Sequence, residues 1–433
     1  MNRRAFLKRA AAAAPAIAGF PQIVAASTLG LSGGVAPSNR IRLGFIGLGR
    51  HGLAVNLKMC LGLPECSVAA LCDVDTRQIE AARNLMADAS LALGGKDRTQ
   101  DWREVIVRPD VDAVVISTPN QWHVPMSIAA ARAGKDVMCE KTSHTIAEGR
   151  EMVEVMDRCG TVFQMAMEDR SLPEYRRMAE VVRNGGIGKL ERIEMTIPKG
   201  PHVQLPLREE PVPPELDWNM WLGPAPEAPY QKERVMADYA RQLGWRHIRD
   251  YGDGVHTDWA VHMGDTALWA MGEWEHLEFT VEAAAGYLEP GVFDMPQTYD
   301  IEYGFESGVT MSVKTGGEAL RFIGSDGWIG NAGWRKPVEA SRQEILNLVY
   351  GAGDIRLEVY EREQQDFLAA IRTRGPTMYS PEYYHRISTF LIAGNIAAEV
   401  GRKLRWTPRE EAFIDDAAAN ALRSRPARTD WAS

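Results

Sequence analysis

Continuous apolar runs alternate with segments of helical period along the first 165 residues of the chain. The runs begin at Ile41 and recur at residues 67–72, 112–117, 136–139 and 161–165. Helical patterns occupy residues 76–87, 125–133 and 147–158. Uninterrupted apolar strands separated by helices are typical of a parallel sheet that is covered on both faces. The pattern predicts an α/β fold with an N-terminal Rossmann domain, a doubly wound parallel sheet, over residues 40–165.

Further along the chain, apolar and polar residues alternate one by one. A helix that begins at Pro173 and ends at Gly185 precedes this change. Alternating strands follow at residues 189–197, 277–285, 299–305, 309–314 and 319–323, and two closing helices occupy residues 362–373 and 382–402. Such alternation is typical of antiparallel strands. We therefore predict a C-terminal α/β domain over residues 166–415 with a large open, mostly antiparallel sheet, and a tail at residues 416–433.

A proline-rich stretch lies inside the second domain, at residues 198–229. It contains nine prolines and has no regular period. A loop of this length in a compact protein is usually a lid, a binding loop or an arm that embraces a neighbouring subunit. Trp218, Trp221 and Trp245 lie in it or shortly after it.

The first apolar run turns into a helical pattern within the motif IRLGFIGLGRHG. Gly47 allows a tight turn, Gly49 lets the backbone approach a pyrophosphate, and Gly52 lets the new helix pack close to the strand. The free N–H groups of the helix then face the phosphates. Asp73 ends the second strand, where a carboxylate binds the ribose of NAD. Arg77 nearby keeps NADP as an alternative.

Polar residues also follow the later strands of the predicted parallel sheet. Ligands bind beyond the carboxyl ends of such strands, so these residues should share one crevice. The candidate cofactor-binding residues are Gly47, Leu48, Gly49, Arg50, His51, Gly52, Asp73, Thr118, Pro119, Asn120, His123, Glu140 and Lys141.

Lys141, Asp258 and His262 are the candidate catalytic residues. The Lys141 ammonium could hydrogen-bond a substrate hydroxyl and stabilise developing alkoxide charge, with Glu140 as its orienting partner. Asp258 and His262 are four residues apart, so they share one helix face if Thr257 caps a helix there. A carboxylate beside an imidazole raises its basicity, as a general base requires. A solvated lysine and a hydrogen-bonded structural histidine are the corresponding structural alternatives.

Trp245, His256 and Asp258 are the candidate substrate-binding residues. Aromatic faces suit the C–H surfaces of sugars, although tryptophans also fill cores. We predict no metal site. The alternative is a site made of His256, Asp258, His262 and Asp265, which are all ligand types, although His256 is expected to precede the helix.

Charge and the N-terminus bear on location and partners. The 433 residues carry a net charge of -9, which argues against nucleic acid or an anionic membrane as a partner. Residues 1–26 have the form of a twin-arginine signal peptide, with the pair Arg3-Arg4 and a cleavage site after Ala26. This predicts export of the folded protein to the periplasm. The five cysteines have no C-x-x-C pair, and we expect buried thiols.

Five ordered motifs, GLGRHG, LCDVD, STPNQWH, CEKT and DWAVHMGD, resemble those of the Gfo/Idh/MocA oxidoreductases. The resemblance covers residues 40–415. It implies bound NAD or NADP and hydride exchange with a sugar or polyol carbon. It also implies that Lys141 activates the substrate, that Asp258 helps to bind it and that His262 is the acid/base. An open sheet that often forms subunit interfaces implies a homodimer or homotetramer.

Two residues depart from the family pattern. Thr142 stands where the family has proline, which removes a rigid ring from the loop of Lys141. His256 occupies a position that is often apolar.

Three functions follow, and the first is the leading hypothesis. It is hydride transfer between tightly bound NAD and a secondary hydroxyl of a sugar, glycoside or polyol. The second is a glycoside hydrolase that oxidises its sugar transiently and eliminates the aglycone. The third is a sugar-binding protein without catalysis.

Overall fold

The computed structural model describes residues 35–88, 97–235, 238, 241–428 and 431. The chain divides into two units, Met1–Arg40 and Ile41–Ser433. The described part of the first unit contains a 3-10 turn, Pro37–Asn39, in which the Asn39 N–H donates to Ala36 O at 2.8 Å. The predicted twin-arginine signal and its cleavage site lie outside the described residues. Within the described part of the chain, no helix is long and apolar enough to cross a membrane.

The second unit contains two sheets, and the first is a six-stranded parallel sheet. Its strands are β1 (Ile41–Ile46), β2 (Cys66–Cys72), β3 (Arg98–Thr99), β4 (Ala113–Ile116), β5 (Asp136–Glu140) and β6 (Phe163–Ala166). They lie in the order β3-β2-β1-β4-β5-β6. Nearly every residue of β1, β4, β5 and β6 is buried, which explains why these strands read as continuous apolar runs. The predicted Rossmann sheet is confirmed.

Helices connect these parallel strands. They are a π-helical turn (Gly52–Leu57) with α1 (Lys58–Leu61), α2 (Thr76–Asp88), α3 (Trp102–Ile106), α4 (Asn120–Arg132) and α5 (Ile146–Cys159). The prediction began α4 at Pro125, but the structure begins it at Asn120, after Pro119. Pro119, with φ of -64°, is the N-cap residue, and Pro125 lies inside the helix. The helix therefore begins after Pro119, five residues before the start that the pattern predicts.

The second sheet has nine strands and is mixed. They are β7 (Leu190–Ile197), β8 (Phe279–Gly286), β9 (Thr298–Phe305), β10 (Thr310–Thr315), β11 (Leu320–Gly324), β12 (Gly327–Asn331), β13 (Val338–Ala340), β14 (Leu404–Thr407) and β15 (Ala412–Phe413). They lie in the order β13-β12-β11-β7-β10-β9-β8-β14-β15. The pair β7–β10 is parallel and the others are antiparallel, which confirms the mostly antiparallel sheet. The strands β12 to β15 were not predicted.

The helices of the second half contact both sheets: Gly254–Met271 and Pro381–Val400 pack against the nine-stranded sheet, whereas Glu363–Thr373 packs against β6 of the parallel sheet. These helices are α6 (Pro173–Arg183), α7 (Trp218–Leu222), α8 (Lys232–Val235), α9 (Gly254–Met271), α10 (Gln343–Leu346), α11 (Glu363–Thr373), α12 (Pro381–Val400) and α13 (Ala417–Ala421). Helix α9 packs against α6, α12 and β7 and is buried along most of its length. It begins at Gly254, not at the predicted cap Thr257, whose hydroxyl instead donates to Gly254 O at 3.3 Å.

The proline-rich stretch packs closely with aromatic side chains. Trp218 stacks on Trp221 with 4.9 Å between ring centroids, and Trp221 meets the edge of Tyr251 at 4.8 Å. Leu216 forms a bridge with Asp75. Of the three alternatives for this stretch, the structure favours a binding loop, because Leu216 and Trp221 line the cleft described below.

The residues predicted to form a tail also pack against the rest of the unit. Arg425 Nη2 donates to Asp253 Oδ1 at 2.6 Å, and the ring of Trp431 lies 5.4 Å from that of Trp122. The cysteines are free thiols. Four of them are buried as expected, but Cys159 at the end of α5 is exposed.

Candidate active site

A cleft of about 810 Å³ lies at the carboxyl ends of β1, β2, β4 and β5. Most of the predicted site residues line it. They are Gly47, Gly49, Arg50, His51, Asp73, Thr118, Pro119, Asn120, His123, Glu140, Lys141, Trp245, Asp258 and His262. The predicted residues Leu48, Gly52 and His256 do not line it.

The glycine loop has the geometry that a dinucleotide requires. Gly47 has a φ of 86°, and a Cβ there would lie 2.5 Å from Ser117 O. A Cβ on Gly52 would lie 2.3 Å from Gly47 O, so this glycine permits close packing. A Cβ on Gly49 would meet no atom within 4 Å, because Gly49 borders the open cleft. The space that a pyrophosphate needs is therefore present beside Gly49.

Asp73 organises the loop as well as the end of β2. Its carboxylate accepts the Leu48 N–H at 2.6 Å and the Asp75 N–H at 2.9 Å. Leu48 was predicted to bind the cofactor, but its N–H is used by Asp73 and its side chain is buried. Burial raises the pKa of Asp73 to about 6, against the opposing effect of these two hydrogen bonds. Asp73 is therefore an anion at neutral pH.

Arg77, the residue that kept NADP as an alternative cofactor, forms an ion pair with a neighbouring carboxylate. Its Nη2 donates to Asp75 Oδ2 at 2.6 Å, and its Nε donates to Asp75 Oδ1 at 2.9 Å. The positive charge of Arg77 is therefore compensated by Asp75, and the adjacent anion Asp73 repels the 2′-phosphate of NADP. The geometry thus fits NAD.

The loop after β4 contains one group that points to a ligand. The Thr118 hydroxyl is buried and has no hydrogen-bond partner within the described protein, and Thr118 lines the cleft. Buried polar groups are normally hydrogen-bonded, so a bound polar molecule would complete this one. His123 has a different role, because its two ring nitrogens lie 2.9 Å from Thr142 O and 2.8 Å from Thr118 O. It joins two loops and does not offer a nitrogen to the cofactor.

Glu140 does not orient Lys141, contrary to the prediction. It accepts a hydrogen bond from Asn56 Nδ2 at 2.7 Å and lies 3.2 Å from His51 Nε2. Burial would raise the pKa of Glu140, but the charge of His51 and these hydrogen bonds lower it to about 2. Glu140 therefore anchors the helix that follows the glycine loop.

Asp258 is the partner of Lys141. The Lys141 ammonium donates to Asp258 O at 2.6 Å and to Asp258 Oδ1 at 2.5 Å, while Asp258 Oδ2 lies 3.2 Å from Arg246 Nε. Burial would raise the pKa of Asp258, but the two cations hold it well below its usual range. An ammonium has three N–H donors, so Lys141 keeps one for a ligand in the cleft.

His262 is paired with Asp169 and not with Asp258. Its Nδ1 lies 2.7 Å from Asp169 Oδ2. Asp169 belongs to a 3-10 turn, Asp169–Ser171, that follows β6. Burial would lower the pKa of His262, but the charge and hydrogen bond of Asp169 raise it. The four-residue spacing in α9 places both Asp258 and His262 at the cleft, as predicted. The predicted pairing is wrong, because the carboxylate that contacts His262 belongs to Asp169. The two partners are 93 residues apart in the chain, so no local pattern indicated them.

Two family models match this chain. The one described as "Oxidoreductase family, NAD-binding Rossmann fold" matches residues 41–167. The one described as "Oxidoreductase family, C-terminal alpha/beta domain" matches residues 202–433. The chain belongs to the Gfo/Idh/MocA oxidoreductase family. The first domain is thus the NAD-binding domain of this family, as predicted.

Relatives within the Gfo/Idh/MocA family align over part of their length. A levoglucosan dehydrogenase from Pseudarthrobacter phenanthrenivorans is 29% identical over 45% of this chain and 42% of that protein. A glycosyl hydrolase family 109 protein from Stenotrophomonas maltophilia is 29% identical over 45% of this chain and 41% of that protein. A myo-inositol 2-dehydrogenase from Thermotoga maritima is 31% identical over 54% of this chain and 55% of that protein. The chain thus aligns with about half of the length of these relatives.

Solved structures support the same fold. The crystal structure of an NAD-binding protein from Listeria innocua matches with a TM-score of 0.62 at 18% identity, over 84% of this chain and 96% of that chain. At this identity the similarity concerns the fold alone.

His256, one of the predicted substrate-binding residues, lies outside the cleft. It is fully buried in α9, with Nδ1 3.3 Å from Asn395 Oδ1 and its ring 5.3 Å from that of Tyr299. Burial lowers the pKa of His256 to about 4. The prediction that it contacts substrate was wrong, because the helix begins before it and turns it into the core.

The alternative metal site is not assembled. Asp265 is buried and accepts hydrogen bonds from Arg170 Nη2 at 2.8 Å and from Tyr379 Oη at 2.9 Å. Among the described residues, Glu168, Asp169 and His262 form the only group of three or more potential metal ligands whose ligand atoms all lie within 4.8 Å of one another. Asp169 already pairs with His262, and Glu168 accepts Arg335 Nη2 at 2.7 Å. This group is a hydrogen-bond network of the cleft wall.

Tryptophan side chains line the part of the cleft around His262. The ring of Trp334, a residue that no sequence pattern indicates, lies 5.5 Å from that of His262 and 5.9 Å from that of Trp259. Across the same cleft, Arg246 stacks 4.5 Å above the ring of Trp245. Trp334 follows β12, a strand that was not predicted, and no periodic signal singled it out.

Proposed function

We propose that this protein is an NAD-dependent oxidoreductase that exchanges hydride with a secondary hydroxyl of a sugar, glycoside or polyol. One observation carries the proposal: Lys141, after a strand of the parallel sheet, and His262, from α9, line one cleft together with the glycine loop. A cation and a paired imidazole beside a nicotinamide site are the two groups that alcohol oxidation needs. The dehydrogenase names of two relatives support the substrate class.

Lys141 binds and polarises the reacting hydroxyl in this mechanism. The glycine loop and Asp73 would hold NAD, which would supply the hydride acceptor when bound. The free N–H of Lys141 donates to the substrate oxygen and stabilises the negative charge that develops there. Asp258 remains ionised between Lys141 and Arg246, so it keeps the ammonium directed into the cleft.

His262 moves the proton. Its Nδ1 is engaged by Asp169, which leaves Nε2 to take the hydroxyl proton. Asp169 then stabilises the imidazolium, and the same proton returns to the substrate oxygen in the reverse direction. Trp259 and Trp334 cover apolar sugar faces and exclude water from this step.

A carbohydrate panel tests the proposal directly. The purified protein would be analysed by mass spectrometry for bound nicotinamide and then incubated with sugars, glycosides and polyols. Nicotinamide absorbance and products would be followed together. A protein that binds NAD weakly and changes no member of the panel contradicts the proposal.

A glycoside hydrolase that uses transient oxidation is the second candidate. The similarity to a protein named as a glycosyl hydrolase of family 109 favours it. The same Lys141 and His262 serve the first oxidation in both reactions. Release of a chromophoric aglycone without net formation of NADH would support the hydrolase, and stoichiometric NADH would exclude it.

We also infer export through the twin-arginine pathway, with NAD bound before export. The motif at Arg3 and Arg4 supports this inference. Fractionation of cells that produce the Arg3→Lys/Arg4→Lys variant tests it, because retention of the variant in the cytoplasm is the expected result.

The protein is further inferred to be a homodimer or homotetramer. The resemblance to the family supports this, because the open sheet of Gfo/Idh/MocA proteins often forms subunit interfaces. In this chain, Arg192, Glu302 and Lys314 form ion pairs across the strands of one face of that sheet. Light scattering measures the oligomeric state, and a monomer would contradict the inference.

A further inference from the structure

Asp169 lies behind His262, and both of its carboxylate oxygens are engaged. Its side chain is completely buried. Oδ2 lies 2.7 Å from His262 Nδ1, and Oδ1 accepts the indole N–H of Trp334 at 3.0 Å. The three residues come from three separate places: the turn after β6, helix α9 and the loop after β12.

We propose that Asp169 is the positioning residue of His262 and that Trp334 holds the Asp169 carboxylate in place. This inference rests on the proposed function, in which His262 Nε2 handles the substrate proton. It adds a carboxylate and an indole that neither the motif in α9 nor the loop of Lys141 contains.

The geometry explains why both partners are needed. A carboxylate at Nδ1 requires the proton of the neutral imidazole to be on Nδ1, and this leaves Nε2 as the base. A carboxylate held at one oxygen alone can rotate about its χ2 bond, whereas the Trp334 N–H fixes the second oxygen. The ring of Trp334 also packs beside the imidazole, with 5.5 Å between centroids. Trp334 therefore restrains both members of the pair.

The segment that carries Trp334 is itself anchored. The Arg335 N–H donates to Tyr175 Oη at 2.9 Å, and Arg335 Nη2 donates to Glu168 Oε1 at 2.7 Å. These bonds tie the loop after β12 to α6 and to the residue that precedes Asp169. The indole donor is therefore held at a defined place.

Several charged groups face His262 from the surrounding elements. Asp169 and Glu168, from the segment after β6, favour the imidazolium, whereas Lys141, from the loop after β5, opposes it. Asp258, one turn earlier in α9, also interacts with the His262 charge. Burial opposes the imidazolium, and the net effect is a raised pKa of His262. Asp169 is the group in direct contact, so its removal should lower that pKa most.

The isosteric variant Asp169→Asn tests the proposal by its kinetics. We expect kcat for alcohol oxidation to fall roughly 10²-fold, because general base catalysis contributes about 10² to 10⁴. KM should change little, and the pH profile of kcat/KM should shift to lower pH. Trp334→Phe keeps an aromatic wall but removes the N–H. Losing one hydrogen bond to a charged group should lower kcat roughly tenfold.

Matched controls separate positioning from general destabilisation. Asp157→Asn, at an exposed position of α5, and Trp328→Phe, in β12 beneath the guanidinium of Arg321 from β11, make the same substitutions away from the cleft. Both should keep the kinetics and the pH profile of the parent. Melting temperatures of all variants show whether lost activity reflects lost folding. Activity that falls only in proportion to the folded fraction, with an unchanged pH profile, overturns the proposal.

A readout without turnover separates this inference from the proposed function. NMR titration of the histidine ring protons, with the His262 signal assigned from His262→Gln, gives the pKa of His262 directly. It should be lower in Asp169→Asn than in the parent protein. That result with no oxidoreductase activity retains the positioning role and rejects the proposed function. An unchanged His262 pKa in an active enzyme rejects the positioning role alone.

Discussion

The cofactor side and the substrate side of the cleft are built in different ways. The cofactor side consists of short loops, each of which directly follows a strand of the parallel sheet. The substrate side combines the loop of Lys141 with residues from α9, from the turn at Asp169 and from the loop at Trp334. A cofactor site made of local loops can be recognised from short motifs. A substrate site assembled from distant segments depends on how two sheets and their helices pack.

The partners of the charged groups also differ between the cofactor side and the substrate side. On the cofactor side, the Asp73 carboxylate is compensated by the backbone N–H groups of Leu48 and Asp75, which are 25 and 2 positions away. On the substrate side, the pairs Lys141–Asp258 and His262–Asp169 join residues that are 117 and 93 positions apart. Substitutions on the two sides should therefore affect different measurements.

The largest expected effect is on the imidazole of the substrate side. His262→Gln should lower kcat by roughly 10²- to 10⁴-fold, because it removes the general base. NAD binding, measured by fluorescence titration, should stay within a factor of two of the parent, roughly 0.4 kcal/mol. His276→Gln, at an exposed position, is the control and should behave as the parent. A large loss of NAD affinity in His262→Gln would contradict the separation of the two sides.

Removal of the ammonium should have the next largest effect. Lys141→Met should lower kcat by roughly 10²- to 10³-fold, the usual result of losing one donor to a developing oxyanion. The loss should be seen in initial rates of NADH formation at saturating NAD. The matched variant Lys403→Met, on the exposed turn after α12, should be fully active. Full activity in Lys141→Met would remove Lys141 from the mechanism.

Two alanine substitutions in the glycine loop should separate an effect on NAD affinity from an effect on the stability of the fold. Gly49→Ala places a methyl group in the open cleft and should raise the Kd for NAD roughly tenfold, about 1.4 kcal/mol, with an unchanged melting temperature. Gly47→Ala forces a Cβ against Ser117 O at a φ of 86°, so it should lower the melting temperature as well. Equal melting temperatures for both variants would contradict the assigned roles.

The smallest expected effect is the pH dependence of NAD binding. Asp73, whose pKa is raised to about 6, is ionised above that pH and protonated below it. A protonated carboxyl loses an acceptor for the ribose, so the Kd for NAD should rise about two- to fivefold between pH 7 and pH 5. Asp73→Asn should bind NAD more weakly and abolish this dependence. The same slope in Asp73→Asn would assign the titration to another group.

The prediction from sequence was accurate where one segment contains the whole signal. The parallel sheet, the glycine loop and the acidic residue after β2 could be identified because strand, turn and helix are consecutive there. The errors concern partners. Glu140 binds His51 and Asn56 rather than Lys141, and His256 faces Asn395 rather than the substrate. A side chain's partner depends on which of several nearby groups the packing brings into contact.

By itself, the amino-acid sequence determined the parallel sheet, the mostly antiparallel sheet and the place of the dinucleotide loop. These features depend on the period of apolar residues and on glycines at fixed spacing, which are local properties of a chain. Only the tertiary structure decided that Asp258 serves Lys141, that Asp169 serves His262 and that Trp334 closes the site. Hydrogen bonds and ion pairs between distant segments need distances of about 3 Å, and only the packing of whole helices and sheets sets such distances.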